Sequence, residues 1–283
     1  MKLVFRALFF AAAWSIATSA GAGVLRDARG AEFEFSSPPR AATLMPAVTQ
    51  SIFALGAQDF LLADSIFCIY PEGAKTKPKI GSFLNPDYEK IAELKPDVFI
   101  LPILSDDRIE SRLKKLGIKC FFLHAEGLEN ISKDIVLLGE LFGRRAEAAR
   151  IAGDIKSATA KTEDGRRAMF MFGNMAAGKG SFIGGIMDIC GLKNCCDSIG
   201  RPWPVPSREF IIAANPQILF VEFAQESDKR ALENFYKSDP AWKHTDAVKN
   251  GAICFMPRDI ATIPSYRIIE TIELIRGFCK KTK

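Results

Sequence analysis

Residues 89–100 read Glu-Lys-Ile-Ala-Glu-Leu-Lys-Pro-Asp-Val-Phe-Ile, and residues 209–220 read Glu-Phe-Ile-Ile-Ala-Ala-Asn-Pro-Gln-Ile-Leu-Phe. Each segment has a glutamate seven residues before a proline and an apolar run after it. A proline cannot continue a helix, and it biases the residue before it toward extended geometry. In each segment we therefore predict a short helix beginning near the glutamate, a break at the proline and a buried strand.

The two segments lie 120 positions apart, and this repeat predicts two similar α/β lobes. Glu89 and Glu209 would then occupy corresponding surface positions. Either glutamate alone could simply balance the positive end of its helix dipole. Their correspondence favours instead a shared role in docking to a partner, and two lobes would enclose a cleft suited to a ligand.

The rest of the chain supports an α/β fold. From residue 41 onward, short apolar strands alternate with amphipathic helices, which is typical of βαβ units and a mainly parallel sheet. Residues 130–161 carry helix signals alone, so we predict one amphipathic helix that ends at Gly143 and a longer one over 144–161 that joins the lobes as a rigid strut. The expected organisation is a signal peptide (1–22), an N-terminal α/β lobe (23–143), the interlobe helix (144–163) and a C-terminal α/β lobe (164–283). Asn85 is expected to cap the first repeat helix, with Pro86 at its first position.

The N-terminus has the features of an export signal. Lys2 and Arg6 precede an apolar stretch over residues 7–17, and small residues follow at 20–22. The stretch is too short to span a bilayer, which needs about 20 residues. We therefore expect export to the periplasm. The formal net charge of +5 is too small to favour nucleic-acid binding.

The chain has seven cysteines, an odd number that leaves at least one unpaired or paired externally. Cys190 and Cys279 both follow apolar residues at helical spacing, which places them on core-facing stripes. The sequence leaves open the pairing of the other five, which are Cys68, Cys120, Cys195, Cys196 and Cys254. With two histidines in the chain, neither a metal site nor a cofactor is expected.

No catalytic motif stands out. Residues 173–180 are rich in glycine, but Gly180 stands where a phosphate-binding loop needs Ser or Thr after Lys179, so a structural turn is expected. A thiol enzyme that uses the adjacent pair Cys195 and Cys196 is an alternative, and it would need reactive thiols of depressed pKa. We expect a binding protein rather than an enzyme.

Three aromatic residues are candidate ligand contacts. Pro202 and Pro204 stiffen the backbone around Trp203, which favours presentation of the ring to a ligand, with burial in a core as the alternative. Tyr70 and Phe83 lie in a loop of the first lobe and are candidates for the opposite wall. Small-molecule pockets are commonly lined by aromatic side chains around a few polar groups.

The chain resembles the periplasmic substrate-binding proteins of ABC importers for vitamin B12, haem and iron–siderophores. The resemblance runs from residue 39 to the final helix. It is carried by residues 51–57 (Ser-Ile-Phe-Ala-Leu-Gly-Ala), 81–86 (Gly-Ser-Phe-Leu-Asn-Pro), 91–97, 178–182 and 239–242 (Asp-Pro-Ala-Trp).

The resemblance implies a monomeric receptor with two α/β lobes joined by one rigid helix and a ligand between them. It also implies that Glu89 and Glu209 dock against arginines of the membrane permease, which works with its own ATPase. Residues 197–209 are most similar to those of the vitamin B12-binding members. Cysteines of those members that form a disulfide match Cys190 and Cys279, so the resemblance implies the same bond in this chain.

The same resemblance implies that Tyr70, Phe83 and Trp203 surround a corrin ring. Pro102 and Ile260 stand where further cleft tryptophans would be expected, and residues 239–242 are more typical of the iron-complex members. A corrinoid is therefore the leading ligand, with an iron–siderophore or haem as the alternative. An exported sensor or scavenger domain without transport is an alternative of another class.

Overall fold

The computed structural model describes residues 24–124 and 127–282 and contains a parallel β-sheet in the N-terminal half and a mainly parallel sheet, with one antiparallel pair, in the C-terminal half. The predicted signal peptide lies outside the described residues. None of the described helices is long and apolar enough to cross a membrane.

The N-terminal lobe is built on a four-stranded parallel sheet in the order β4-β3-β5-β6, preceded by a short antiparallel hairpin of β1 and β2. Its strands are β1 (Leu25–Arg26), β2 (Glu32–Phe33), β3 (Ala41–Thr43), β4 (Leu61–Ala63), β5 (Val98–Pro102) and β6 (Lys119–Leu123). Its helices are α1 (Pro46–Ala54), α2 (Tyr88–Leu94) and α3 (Asp107–Lys115).

The C-terminal lobe is built on a five-stranded sheet. Strands β11, β10 and β7 are parallel neighbours, and β8 and β9 both pair with β7. The strands are β7 (Arg167–Phe172), β8 (Met175–Ala176), β9 (Lys193–Asn194), β10 (Ile218–Phe223) and β11 (Ile253–Pro257). The helices are α6 (Phe182–Ile189), α7 (Arg208–Ala214), α8 (Asp228–Ser238), α9 (Asp246–Lys249), α10 (Arg258–Ala261) and α11 (Ile268–Lys281).

Two consecutive helices, α4 (Leu128–Leu141) and α5 (Arg145–Ala158), connect the lobes. The predicted interlobe helix corresponds to α5, which ends at Ala158 and is shorter than expected. The core that contains Ile151 and Ile155 of α5 also contains Phe121 of the first sheet and Phe170 of the second. The connection is therefore packed into both lobes, as a rigid strut requires.

The strands explain how three cores form from one chain. Successive residues of a strand point to opposite faces of the sheet. Val98 and Ile100 accordingly belong to the shared core, whereas Phe99 and Leu101 belong to a second core on the other face of the first sheet. In the C-terminal lobe Leu219 and Val221 belong to a third core in the same way.

The start of the first repeat helix differs from the prediction. Asp87, not Asn85, is the N-cap of α2, and its carboxylate accepts from the backbone N–H of Lys90 at 3.0 Å. Asn85 instead closes a turn with Ser82, whose backbone N–H donates to the Asn85 carbonyl at 3.0 Å. Asp and Asn cap helices about equally well, so the sequence alone did not choose between them.

Candidate functional site

The two glutamates occupy the same position of two matching helices. Glu89 is the second residue of α2 and Glu209 the second residue of α7, and both side chains are exposed. In α7 the Ser207 hydroxyl is the N-cap and accepts from the backbone N–H of Phe210 at 3.2 Å. Hydrogen bonds from the Glu209 backbone and from Ser207 lower the pKa of Glu209, which stabilises its charge.

The helices also end in the same way. Lys95 and Asn215 are their C-caps, in the left-handed conformation with φ of 47° and 40°. Among the residues that the structure describes, these are the two non-glycine residues with positive φ. Buried Pro96 and Pro216 follow and lead into β5 and β10. The 120-residue repeat is therefore a structural repeat as well.

Exposed apolar side chains gather in the loops that leave the carboxyl ends of the strands, where ligands of open α/β sheets bind. In the N-terminal lobe, Phe67 follows β4, Leu84 precedes α2 with 96% of its surface exposed, and Leu104 follows β5 with 82% exposed. In the C-terminal lobe, Val205 is exposed in the loop that leads to α7. Both lobes thus offer apolar surface at this edge.

Trp203 is fixed on the C-terminal lobe and half-buried. Its ring packs against Phe172 and Phe182, with centroid distances of 6.3 and 5.9 Å. The flanking prolines are held in place because the carbonyl of Pro202 accepts from Gly178 N–H and that of Pro204 from Ala176 N–H, both at 2.8 Å. The ring is therefore packed on one side and accessible on the other.

The loop that carries Trp203 explains one glycine of residues 173–180. A Cβ atom at Gly178 would lie 2.4 Å from the carbonyl oxygen of Arg201, so only glycine fits there. This close approach supports the structural interpretation of the segment.

Tyr70 makes a contact between the lobes. The guanidinium of Arg267 lies over its ring, 4.0 Å from the centroid, and its hydroxyl is hydrogen-bonded to Tyr266. Burial, followed by the hydrogen bond to Tyr70, raises the pKa of Tyr266 to about 12. Close by, the Ser265 hydroxyl donates to the side-chain oxygen of Gln50 at 2.6 Å, so a second buried contact joins the lobes.

The loop that carries Tyr70 is held by a buried ion pair that sequence reasoning missed. Lys79 Nζ donates to Asp64 Oδ1 at 2.6 Å and to the carbonyls of Cys68 and Ala74 at 2.9 Å. Burial raises the pKa of Asp64 to about 6. Residues 64 and 79 are 15 positions apart and belong to no helical or strand repeat, so the sequence did not predict this ion pair.

Phe83 lies in a separate setting. It packs on the second core and lines a cavity of about 620 Å³ together with Leu84, Tyr88, Ile109 and Arg112, all in the N-terminal lobe. Tyr70, Phe83 and Trp203 therefore pack against different neighbours. Their predicted joint role around one ligand stays a prediction.

Two arginines at the carboxyl edge of the C-terminal lobe are bound by carboxylates. Arg258 pairs with buried Glu222, across the ends of β10 and β11. Arg267 is buried and pairs with Asp259 at 2.9 Å and Glu270 at 2.8 Å. Both cationic side chains are locally neutralised.

The cysteines argue against thiol chemistry. Burial raises the pKa of Cys195 to about 11 and that of Cys196 to about 12, whereas a reactive thiol needs a depressed pKa. Cys190 and Cys279 are buried in the shared core, and burial, followed by the charge of Asp164 and then the Cys190 thiol, raises the pKa of Cys279 to about 12. The structure contains no bond between these two thiols, so their predicted disulfide stays a prediction.

Within residues 24–124 and 127–282, no cluster of three or more His, Cys, Asp or Glu side chains could hold a metal.

Comparison with known proteins identifies relatives of this fold. The sequence profile described as periplasmic binding protein matches residues 42–260. The vitamin B12-binding protein of Photorhabdus laumondii is 26% identical over 212 residues, covering 71% of this chain and 77% of that protein. The high-affinity heme uptake system protein IsdE of Staphylococcus aureus is 26% identical over 196 residues, covering 65% and 67%. Among solved structures, the periplasmic vitamin B12 binding protein BtuF of Vibrio cholerae superimposes with a TM-score of 0.74 at 21% identity, covering 87% of this chain and 98% of that one.

Proposed function

This chain belongs to the periplasmic binding protein family, and we propose that it captures a corrinoid between its lobes for delivery to an inner-membrane ABC permease. The family consists of binding proteins, so the chain is a receptor rather than an enzyme. The proposal includes export through residues 1–22 and action as a monomer.

The observation that carries the corrinoid proposal is the apolar surface at the carboxyl edge of both sheets. Leu84 and Leu104 in one lobe and Val205 in the other are exposed, and Trp203, two residues before Val205, is partly buried. A corrinoid is large and mostly neutral, so wide apolar walls suit it. A relative named for vitamin B12 binding supports the same ligand class.

Two arginines at this edge, Arg258 and Arg267, are poor candidates for binding an anionic siderophore. Such a ligand is bound by free guanidinium groups, because their paired donors match carboxylate and catecholate oxygens. Arg258 and Arg267 already face carboxylates of the protein itself. An anionic ligand would have to displace these partners.

Haem is the second candidate, and the Tyr70 contact favours it. The phenols of Tyr70 and Tyr266 are hydrogen-bonded beside the Arg267 guanidinium, and a tyrosine oxygen can serve as an iron ligand. IsdE, named for heme uptake, is among the relatives. Haem binding would require the Tyr70 hydroxyl to exchange its partner Tyr266 for iron.

Calorimetry with cyanocobalamin, haemin and a panel of ferric siderophores tests the ligand. We expect cyanocobalamin to bind most tightly. Replacing Trp203 by alanine removes one large apolar wall and should weaken its binding by about 1–3 kcal/mol, a change of roughly 5- to 150-fold in Kd. The matched control is Phe235→Ala, an exposed aromatic of α8, which should bind as the wild type does.

The outcomes separate the candidates. Tight binding of haemin or a ferric siderophore, with no binding of cyanocobalamin, would contradict the corrinoid proposal. Binding that is equally strong in the wild type and in Trp203→Ala would remove Trp203 from the site.

Transport separates a receptor from an exported sensor or scavenger. We propose that Glu89 and Glu209 dock on arginines of the permease, one from each lobe, because exposed charges steer and orient protein partners. A sensor or scavenger would bind the same ligand without delivering it to a permease.

A further inference from the structure

The helices that carry the two glutamates are short. Both α2 and α7 have seven residues, or about two turns. Each buries one side chain, Ile91 in α2 and Ile211 in α7, and packs partly buried residues against the core of its lobe. Because so few side chains anchor a helix of two turns, its direction also depends on the hydrogen bonds at its ends.

At the C-terminal end of each helix, an arginine binds the carbonyl of the left-handed residue. Arg40 Nη2 donates to the Lys95 carbonyl at 2.8 Å. Arg167 donates to the Asn215 carbonyl from Nη2 at 3.0 Å and from Nε at 3.1 Å. A left-handed conformation is unfavourable for residues with a Cβ. The arginine therefore stabilises the backbone turn at which the helix gives way to the strand.

The backbone of each arginine is locked in turn by the residue that follows the proline. Arg40 N–H donates to the Asp97 carboxylate at 2.8 Å, and the Asp97 N–H returns a bond to the Arg40 carbonyl at 2.9 Å. Arg167 N–H donates to the Gln217 side-chain oxygen at 3.1 Å, and the Gln217 N–H returns a bond at 2.8 Å. The same reciprocal clamp occurs in both lobes.

Each clamp joins its helix to the sheet of its own lobe. Arg40 directly precedes β3, and Arg167 is the first residue of β7. The clamp lies at one end of the helix and the glutamate at the other, about 10 Å away for seven residues. Tilting at the clamped end would therefore move the glutamate.

We propose that Arg40 and Arg167 are positioning residues for permease docking, holding Glu89 and Glu209 at a fixed separation. The inference rests on the proposed docking function of these glutamates. Two contacts made together strengthen binding only when their spacing matches the partner, so a small tilt of either helix costs affinity. The partner is the permease surface that presents an arginine to each glutamate.

Lysine should not replace either arginine. The guanidinium is a planar group with several donors in fixed directions, whereas a lysine has one nitrogen on a flexible chain. Arg167 also donates from Nε to the Ala214 carbonyl at 3.3 Å, so its contacts with the helix end come from a rigid fork.

The test compares Arg40→Met, Arg40→Lys, Arg167→Met and Arg167→Lys in the full chain. Affinity for the permease in nanodiscs and affinity for cyanocobalamin are measured separately. We expect each variant to lose roughly fivefold or more in permease affinity, with cyanocobalamin affinity within about twofold of wild type. The matched control is Arg150→Met on α5. This variant removes exposed hydrogen bonds from an arginine to the carboxylates of Glu147 and Asp154, and Arg150 has no hydrogen bond to either docking helix.

A double-mutant cycle separates positioning from general destabilisation. If Arg40 acts by holding Glu89 at a fixed separation from Glu209, Arg40→Met should have little effect in a Glu89→Ala background and in a Glu209→Ala background. Arg167→Met should show the same pattern. A full effect of either arginine variant in both backgrounds would overturn the inference. Should a methionine variant fail to fold, the lysine variant is used for the same cycle.

The control results distinguish the two proposals. If Glu89→Ala and Glu209→Ala bind the permease as the wild type does, the docking function itself is wrong. If those variants lose affinity while the Arg40 and Arg167 variants behave like Arg150→Met, docking stands and the positioning role is wrong.

Discussion

The proposed docking units of the two lobes, residues 87–97 and 207–217 with Arg40 and Arg167, have the same geometry but different side chains. Each has a side-chain N-cap, a glutamate at the second helical position, a left-handed C-cap, a buried proline and an arginine clamp. The cap is Asp87 in one lobe and Ser207 in the other. The two copies of the repeat therefore follow the same backbone path, and different side chains make the corresponding hydrogen bonds in each lobe.

The clamps differ in charge. In the N-terminal lobe, Asp97 provides both the backbone lock and the ionic partner of Arg40, at 3.4 Å from its Nε. In the C-terminal lobe the lock is the neutral amide of Gln217, and the ionic partner is Asp246 of α9, 3.4 Å from Arg167. The second clamp therefore involves a second helix, α9, in addition to α7.

The largest expected difference between the lobes is covalent. A disulfide between Cys190 and Cys279 would fasten α11 to the C-terminal lobe, and closing a loop of roughly ninety residues should stabilise that lobe by about 4 kcal/mol. We expect Cys279→Ser to lower the free energy of unfolding of oxidised protein by this amount. The control Cys120→Ser removes a buried thiol of the N-terminal lobe and should have a much smaller effect.

Peptide mapping checks the bond directly. Periplasmic protein is denatured without reduction, alkylated and digested. Recovery of a linked peptide that contains both cysteines is the expected result, and alkylated Cys190 or Cys279 would contradict the pairing.

A smaller difference is expected at the two left-handed residues. Glycine tolerates positive φ, so Lys95→Gly should raise the free energy of unfolding by about 1 kcal/mol. The Asn215 side chain accepts from the Asp246 N–H at 2.8 Å, and loss of that bond, worth about 1 kcal/mol, should cancel the gain in Asn215→Gly. Urea denaturation measures both variants.

The control for this pair is Leu116→Gly. Leu116 is the C-cap of α3 with φ of −83°, so glycine relieves no strain there and should destabilise the protein. Equal gains in Lys95→Gly and Asn215→Gly would mean that the bond from Asp246 contributes nothing.

Local signals in the sequence predicted much of this fold. The proline after each docking helix and the apolar runs that follow it correctly placed α2, β5, α7 and β10, because a proline acts on its immediate neighbours. The alternation of strands and helices gave the two α/β lobes. Helix α8 was missed, because its apolar side includes only Leu232 and Tyr236 facing the core and lies among polar and charged residues.

The contacts that organise the site were not visible in the sequence. Arg40 lies 55 residues from its acceptor Lys95, and Tyr70 meets Arg267 from the opposite end of the chain. Such pairs depend on the tertiary fold and leave no periodic pattern. The exposure of Glu89 and Glu209, by contrast, could be predicted from the sequence, because each residue lies in the first turn of a short helix.

Reversal of both docking charges tests the central claim most directly. The double variant Glu89→Lys and Glu209→Lys is compared with wild type for cyanocobalamin affinity by calorimetry and for cyanocobalamin delivery in proteoliposomes that contain the permease and its ATPase. We predict nearly unchanged affinity and loss of delivery, because lysines facing the permease arginines would repel them. Normal delivery by the double variant, or loss of cyanocobalamin binding in its place, would contradict the account.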